Sequence, residues 1–316
     1  MRRVALIYNP ASGQYSARRA EVVRKVLSEL RKAGIEAEAL ETNAPGSART
    51  LAASAVRHGY DTILAGGGDG TVHEILQCLV DTPVALGVIP LGTANALAQD
   101  LNLGRSPVKA VRAMLRAVPT QVHVGRIFYR DKSGADCSRY FTVAAGVGAD
   151  ALLMSRLDAG LKRKFGYILY LVEAFRIWAT NPFPLFEATF QVNGNPVPRV
   201  EQMSQLLAVR VRSFGGVLRT LAPGATLHNG WLHLVAFKTR SRLRYLRFLL
   251  AVIAGRQTFS SEVELIEAVS VQCRAANGSP APVYVEADGE VLGTLPARIE
   301  VASQMLTLLV PPNARP

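Results

Sequence analysis

Residues 62–75 have the sequence TILAGGGDGTVHEI, the most informative segment for the fold of the first part of the chain. The short run Thr62–Ala65 predicts a buried strand, and the apolar spacing from Val72 to Val80 predicts a helix. The glycine-rich run Gly66–Thr71 joins the two. A short apolar strand that passes directly into a helix is typical of a parallel α/β sheet.

The same alternation of strand and helix extends outward from this junction over the first 120 residues. Strands are predicted at Val4–Tyr8, Glu36–Glu41 and Ala85–Ile89, and helices at Ser16–Ala33, Ser47–His58 and Ala94–Leu101. After about residue 120, short β-rich runs take over, among them predicted strands at Arg298–Val301 and Met305–Val310, with hairpin signals such as Asn193-Gly194-Asn195-Pro196. The sequence therefore predicts a doubly wound parallel α/β domain followed by an antiparallel β-sandwich domain.

Composition sets limits on where such a chain can work. Its 316 residues are 49% hydrophobic and 19% charged, which is enough for two folded domains. Cys78, Cys137 and Cys273 are an odd, widely spaced set, which favours a reducing, cytoplasmic setting over a disulfide framework. The apolar run Val4–Tyr8 is too short for a signal peptide, and no stretch of ~20 apolar residues predicts a membrane span.

Charge is unevenly distributed along the chain. The formal net charge is +12, and the basic excess is concentrated in residues 155–247. The predicted helix Arg242–Ala254 alternates arginines with leucines, so it could lie on an anionic membrane; packing on the sandwich explains it equally well. Binding to nucleic acid is not expected, because no known module and no aromatic interleaving accompany the charge.

Three strand-to-helix junctions in the first domain have turn chemistry suited to phosphate: Asn9–Gly13, Gly66–Thr71 and Pro90–Asn95. In a parallel sheet all of them lie at the carboxyl ends of the strands, where ligands bind. One glycine-rich turn is weak evidence, but glycines at three successive junctions let the backbone and helix N-termini approach an anion. We therefore predict that the three junctions bind the polyphosphate of a nucleotide. The carboxylate of Asp69 would repel phosphate, so its expected role is to hold Mg²⁺.

These motifs carry a family resemblance. GGGDGTVHEI at 66–75, NPASG at 9–13 and PLGTANALAQDL at 90–101 together resemble the diacylglycerol kinase catalytic family, which includes bacterial soluble diacylglycerol kinases, YegS-like lipid kinases and sphingosine kinases. The resemblance continues through AGVG at 145–148 and VEADGE at 285–290. It implies an ATP-dependent lipid kinase with a NAD kinase/diacylglycerol kinase-like fold.

The resemblance also implies domain roles and site residues. Residues 1–123, joined by about 297–316, would bind the nucleotide, and 124–296 would bind the lipid. Asp288 is the preferred catalytic base, Glu290 could share that role, and Asp69 would organise Mg²⁺. From the residues alone, Asp288-Gly289 is first of all a two-residue hairpin turn. The implied ATP contacts are Asn9, Pro10, Ala11, Ser12, Gly13, Thr42, Gly67, Gly68, Asp69, Gly70, Thr71, Glu74, Gly92, Thr93 and Asn95.

The sequence departs from the family pattern at several places, two of which concern the charge near phosphate or metal. Gln14 stands where some members have a lysine after the first turn, so one charge that would neutralise phosphate is missing. Bacterial members have a Mg²⁺ site near an Asp-Asp-Gly turn of the second domain, and the corresponding run here is Leu227-His228-Asn229-Gly230-Trp231. Without carboxylates this turn is a poor Mg²⁺ site, because Mg²⁺ prefers hard anionic oxygens.

Two alternative functions remain open from the sequence. A NAD kinase-like phosphotransferase shares the GGDGT motif, although PLGTAN at 90–95 and the late DGE at 288–290 favour the lipid branch. The second alternative is a non-catalytic member of the fold, which would bind nucleotide or lipid without transferring phosphate. For the lipid kinase we expect peripheral attachment at the inner face of an anionic membrane, and a homodimer is compatible with the sequence.

Overall fold

The computed structural model describes residues 1–13, 18–131, 133–156, 172–195, 197–214, 221–256, 259–276 and 282–314. The chain divides into two compact units. The first comprises Met1–Val124, Ser213–Gly215 and Ser303–Pro316, and the second comprises Gly125–Arg212 and Gly216–Ala302. Gln14 lies outside the described residues, and so does Lys162-Arg163-Lys164, a basic cluster of the segment 155–247 that could attract an anionic membrane.

A parallel sheet with helices forms the first unit. Its strands are β1 (Arg3–Tyr8), β2 (Glu36–Glu41), β3 (Thr62–Gly67) and β4 (Ala85–Pro90). Its helices are α1 (Arg19–Lys32), α2 (Ser47–Arg57), α3 (Asp69–Leu79), α4 (Ala96–Asp100) and α5 (Pro107–Met114). The strands lie in the order β2-β1-β3-β4, so the chain winds outward in both directions from β1. The carboxyl ends of β1, β3 and β4 are therefore side by side.

Burial follows the sequence pattern in this unit. All six residues of β3 and of β4 are buried, as expected for strands that are covered on both faces. Helix α5 was not predicted, although its start carries a clear signal. Ser106 accepts a hydrogen bond from the Lys109 N–H at 3.4 Å, and Pro107 occupies the first helical turn.

Antiparallel strands dominate the second unit. They are β5 (Val118–Arg130, from Gly125 onward in this unit), β6 (Asp136–Phe141), β7 (Ala144–Val147), β8 (Phe186–Val192), β9 (Arg199–Met203), β10 (Gln205–Val209), β11 (Leu232–Phe237), β12 (Val263–Ala275) and β13 (Tyr284–Ala287). The main order is β13-β7-β10-β11-β12-β8-β9. The helices are α6 (Ala149–Arg156), α7 (172–180) and α8 (Arg242–Ile253). Inward-facing side chains such as Phe141, Phe186 and Phe190 fill one apolar core.

The last strand, β14 (Glu290–Val310), belongs to both units. The sequence predicted two separate strands here, Arg298–Val301 and Met305–Val310, but the structure has one continuous strand of 21 residues. Up to Ala302 it pairs with β13 and β12 in the second unit. Beyond that point it runs parallel to β4, with Leu308 opposite Leu86.

No helix in the described part of the chain combines the length and the apolar character that a bilayer crossing needs.

Candidate functional site

The three glycine-rich loops of the first unit are bonded to one another. The Asn9 N–H donates to the Gly66 carbonyl at 2.9 Å, which joins the first loop to the end of β3. The N–H groups of Leu91 and Gly92 donate to the Gly67 carbonyl at 2.9 and 3.0 Å, which joins the third loop to the second. The three predicted turns therefore form one continuous surface at the carboxyl edge of the sheet.

Glycine is required at several of these contacts by the packing of loop on loop. A Cβ at Gly13, which has φ +62°, would overlap the Leu91 carbonyl oxygen, and a Cβ at Gly92 would overlap the Gly68 Cα. At Gly68 the situation differs, because an added Cβ would lie 3.4 Å from the Gly92 Cα, an ordinary contact. Gly68 is thus a glycine of this site at which the neighbouring atoms do not exclude a side chain.

Asp69 lies at the start of α3 and reaches across to α4. Its two carboxylate oxygens accept the N–H groups of Asn95 and Ala96 at 3.0 and 2.7 Å. Asn95 has φ +51° and closes the third loop, because its side-chain amide exchanges hydrogen bonds with the Gly92 N–H and carbonyl. The Asp69 carboxylate thus serves as an N-terminal cap for α4, a role that the sequence analysis did not assign to it.

Glu74, one turn further along α3, has a similar arrangement. Its carboxylate accepts the N–H groups of Gly46 and Ala48 at 2.8 and 3.0 Å, at the N-terminus of α2. The two acidic residues of the GGGDGTVHE segment therefore brace two neighbouring helices. Thr42 is buried after β2, and its N–H donates to the Tyr8 carbonyl at 2.9 Å.

The remaining predicted nucleotide contacts differ in their exposure. Thr71 is buried, and its side chain fills the space beside Gly67 where a Cβ would lie. Thr93 is exposed on the third loop. Pro10, Ala11 and Ser12 form the first loop together with Asn9, whose side-chain oxygen accepts the Ala11 N–H at 2.8 Å, and Gly70 lies in the first turn of α3.

Arg19 is a residue of this region that the sequence analysis missed. It is the first residue of α1 and is only 4% exposed, and its Nη2 donates to the Ser12 carbonyl of the first loop. The Nε and Nη1 atoms are buried without a hydrogen-bond acceptor among the described residues. Burial lowers the pKa of Arg19, but an arginine stays charged at neutral pH. The residue before it, Arg18, is exposed.

In the second unit, Asp288 and Gly289 form the tight turn between β13 and β14, with φ +50° and +83°. The Asp288 carboxylate accepts the N–H groups of Thr142, Val143 and Ala144 at 3.0, 2.8 and 3.1 Å. Asp288 is thereby fixed to the chain that enters β7. Glu290 is half-buried at the start of β14.

Asp150, near the start of α6, is a second residue that the sequence analysis missed. Its side-chain oxygens are buried without a hydrogen-bond partner of normal geometry among the described residues. It packs over Gly146, at a place that the Glu286 carboxylate also faces. Burial raises the pKa of Asp150 to about 7, and nearby main-chain N–H groups only partly oppose this. An acidic residue directly after the AGVG segment at 145–148 was the signal in the sequence.

The turn at 227–231, where the resemblance implies a Mg²⁺ site, holds a guanidinium instead. Arg210 is fully buried, and its Nη1 donates to the Trp231 carbonyl at 2.5 Å. Its Nη2 donates to the carbonyls of Asn229 and Leu227 at 2.9 and 3.4 Å. Burial lowers the pKa of Arg210 to about 10, so it remains a cation at neutral pH. A Mg²⁺ ion would meet a like charge here, so the residues present do not fit the metal.

Comparisons with known proteins agree with these features. The sequence model of the diacylglycerol kinase catalytic domain matches residues 3–127, and that of the YegS C-terminal NAD kinase β-sandwich-like domain matches residues 142–310. The chain belongs to the diacylglycerol kinase family. A diacylglycerol kinase of Staphylococcus saprophyticus is 27% identical over 98% of this chain and 96% of that protein. One of Mycobacterium tuberculosis is 28% identical over 98% and 95%.

Solved structures share the fold. A diacylglycerol kinase from Bacillus anthracis superposes with a TM-score of 0.71 at 18% identity, covering 99% of this chain and 98% of that one. Yeast NADH kinase in complex with NADH gives a TM-score of 0.52 at 9% identity, covering 98% and 83%. The predicted family and fold class are confirmed, and the chain is an ATP-dependent lipid kinase.

Proposed function

We propose that this family member transfers the γ-phosphate of ATP to the hydroxyl of diacylglycerol or a closely related lipid. The observation that supports this most directly is the bonding of three glycine-rich loops at the carboxyl edge of β1, β3 and β4. Loops of this kind, next to the N-terminus of α3, offer main-chain N–H groups to a triphosphate. The acceptor lipid follows from the names of the relatives, each called a diacylglycerol kinase.

Within this proposal the predicted contacts divide into two groups. Asn9–Gly13, Gly68, Gly70 and Thr93 are at least partly exposed on the loop surface and would face the nucleotide. Thr42, Thr71, Glu74, Gly92 and Asn95 would act mainly by shaping that surface, since their side chains or Cα atoms are engaged with the protein. Gly67 is buried at the end of β3, so it belongs to the second group.

Asp69 remains the proposed holder of Mg²⁺. Each of its oxygens already accepts one N–H group, which suits contact to the ion through water better than direct ligation. Mg²⁺ in phosphoryl-transfer sites draws much of its coordination from the substrate phosphates and would neutralise charge on their oxygens.

Asp288 and Glu290 are the proposed proton acceptors. As the lipid hydroxyl oxygen bonds to the γ-phosphorus, the bond from that phosphorus to the β–γ bridging oxygen breaks and ADP leaves. The hydroxyl proton passes to a carboxylate. Asp288 is held in one orientation by its three N–H donors, and Glu290 follows it two residues later at the start of β14.

A labelled-phosphate assay tests the reaction. The full chain, Mg²⁺ and γ-labelled ATP are incubated with vesicles containing diacylglycerol, a sphingoid base or a polyprenol, and with NAD in a parallel reaction. Label in diacylglycerol supports the proposal. Label in NAD alone would refute it in favour of a NAD kinase-like enzyme, and bound nucleotide without any transfer would favour a binding module.

Gly68→Ala is a sharp variant for the nucleotide loops. The added methyl is tolerated by the fold, so we expect normal thermal stability but an increase of ~10-fold or more in KM for ATP, as the methyl obstructs the phosphates. Gly230→Ala is the matched control, because its Cβ would meet nothing within 4 Å. An unchanged KM in Gly68→Ala would argue against phosphate at this loop.

The two carboxylates need different treatment. Asp288→Asn replaces one carboxylate oxygen by an NH₂ donor, which would face one or two of the three N–H donors, so lost activity in that variant could reflect a disturbed turn. Glu290→Gln avoids this problem. If Glu290 takes the proton, kcat should fall ~100-fold with little change in the thermal unfolding temperature. Full activity in Glu290→Gln would leave Asp288 as the base.

Peripheral attachment to an anionic membrane is also proposed, and α7 and α8 of the second unit support it. The Trp178 Nε1–H donates to the Arg242 carbonyl at 2.9 Å and the Arg242 Nε–H to the Trp178 carbonyl at 2.9 Å, so the two helices are tied together. Exposed arginines of α8 flank this pair. Large apolar side chains are exposed on both helices: Val172, Phe175, Leu243, Leu249, Leu250 and Ile253. Apolar groups beside arginines suit an anionic bilayer surface.

Vesicle sedimentation tests this face. Phe175 is 66% exposed on α7, and Val197, elsewhere in the same unit, is 67% exposed. We expect Phe175→Ser to weaken binding to phosphatidylglycerol-containing vesicles and Val197→Ser to leave it unchanged. Equal binding by both variants would contradict the assignment. A homodimer also remains a proposal, and light scattering of the purified chain would test it.

A further inference from the structure

The buried guanidinium of Arg19 has no structural task that accounts for all of its donors. One nitrogen bonds to the Ser12 carbonyl, while Nε and Nη1 meet no acceptor in the described chain. Buried polar groups are nearly always hydrogen-bonded, and a buried charge without a full set of partners is costly. Such a group points to a partner that arrives from outside the chain.

The location of Arg19 indicates what that partner is. Ser12 belongs to the first glycine-rich loop, and the neighbouring Gly13 is packed against the Leu91 carbonyl of the third loop. Arg19 is therefore buried directly against the loops to which the triphosphate is assigned. In a region of low dielectric, a unit positive charge there attracts an anion strongly even across several ångströms.

Charge balance also indicates that Arg19 binds phosphate. The residue that follows NPASG is Gln14, which carries no charge. A triphosphate needs cations near it, and a buried arginine is always charged and well suited to phosphate. Arg19 is the charged side chain that contacts this loop through Ser12.

We propose that Arg19 is the phosphate-binding cation of the first loop. The inference rests on the proposed placement of ATP at the three loops. Its ligand class is a nucleoside polyphosphate, and its attraction grows with the number of phosphates on the nucleotide.

Direct binding measurements test the proposal. The affinities of the full chain for ATP, ADP and AMP are measured by calorimetry at two salt concentrations, for wild type, Arg19→Met, Arg19→Lys and Arg18→Met. We expect Arg19→Met to lose ~10-fold or more in affinity for ATP, with a smaller loss for AMP and a weaker salt dependence. Arg19→Lys should recover most of the affinity. Arg18→Met is the matched control, because the adjacent arginine is exposed, and its affinities should equal those of wild type.

The possible outcomes separate the inference from the proposed function. A folded Arg19→Met variant with wild-type affinity for ATP would overturn the inference while leaving the proposed function intact. Equal losses for ATP and AMP would also overturn it, because a purely structural role does not depend on phosphate number. A wild-type chain that binds no ATP would instead remove the proposed function itself. If Arg19→Met fails to fold, the comparison of Arg19→Lys with Arg18→Met across salt concentrations distinguishes a phosphate-binding role from a structural one.

Discussion

Two buried arginines, one in each unit, are used in opposite ways. In the second unit, the Nη1 and Nη2 atoms of Arg210 donate to three carbonyl groups of the turn at 227–231 and hold that turn together. Arg19 in the first unit bonds to the Ser12 carbonyl and keeps two buried nitrogens without an acceptor among the described residues. The difference separates a structural cation from one that awaits a ligand, because only unmet hydrogen-bonding capacity can be offered to a substrate.

The same contrast holds for four carboxylates of the two units. Asp288, Asp69 and Glu74 each accept main-chain N–H groups, and each thereby fixes a turn or the start of a helix. The carboxylate oxygens of Asp150 are buried without a partner of normal geometry in the described part of the chain, and its pKa is raised. We therefore expect that replacing a charged side chain with hydrogen-bond partners destabilises the fold. Replacing one that lacks partners should stabilise it.

The strongest test of this contrast is Arg210→Met. The methionine leaves the carbonyls of Leu227, Asn229 and Trp231 without their donor, so we expect the free energy of unfolding to fall by roughly 3–5 kcal/mol. Urea unfolding measures this, and Arg274→Met, at an exposed position on β12, is the control. EDTA should not change the wild-type value. A stable Arg210→Met variant, or a wild type that loses stability in EDTA and regains it with Mg²⁺, would break the comparison.

Asp150→Asn should have the next largest effect, with the opposite sign. The folded pKa of about 7 exceeds the ordinary value of 3.8, so the wild type is most favoured at low pH and loses stability as pH rises through about 7. At pH 8 the variant should be more stable by roughly 2–4 kcal/mol, and near pH 4 the gain should vanish. Thermal unfolding across this pH range checks the prediction, with exposed Asp81→Asn as the control. A gain that does not depend on pH would count against a buried carboxyl with a raised pKa.

Arg19→Met sharpens the comparison with Arg210→Met directly. Replacement of a partly unmet buried charge by an apolar side chain of similar length should leave the nucleotide-free protein as stable as wild type, or more stable by up to ~2 kcal/mol. The measurement is again urea unfolding, without nucleotide. A loss comparable to that of Arg210→Met would show that the two arginines are both structural.

Glu74→Ala should have the smallest effect of the four. The variant loses two hydrogen bonds at the N-terminus of α2, and we expect a fall of ~1 kcal/mol in the free energy of unfolding. Glu187→Ala, at an exposed position on β8, provides the baseline. If the variant kept its full stability but bound ATP more weakly, Glu74 would be a nucleotide contact, as the resemblance implied, and not a helix brace.

Much of the fold could be predicted because its signals are local. The apolar run of β3, the helix spacing after Asp69 and the glycines between them require only near neighbours in sequence. The misses have local and non-local causes. Helix α5 was overlooked although Ser106-Pro107 marks its start, and β14 was divided in two because its continuity depends on pairing with β12, β13 and β4.

The fold class, the family and the three loops follow from the order of the residues alone, because strand and turn signals are encoded within a few consecutive residues. Tertiary structure decided which charges have partners. Arg19 and Arg210 are the same type of residue, and so are Asp69 and Asp150. Whether such a side chain has hydrogen-bond partners depends on segments that are distant in sequence. When a charged group is buried, a full set of partners stabilises the fold, whereas a missing partner leaves a donor or acceptor that a ligand can satisfy.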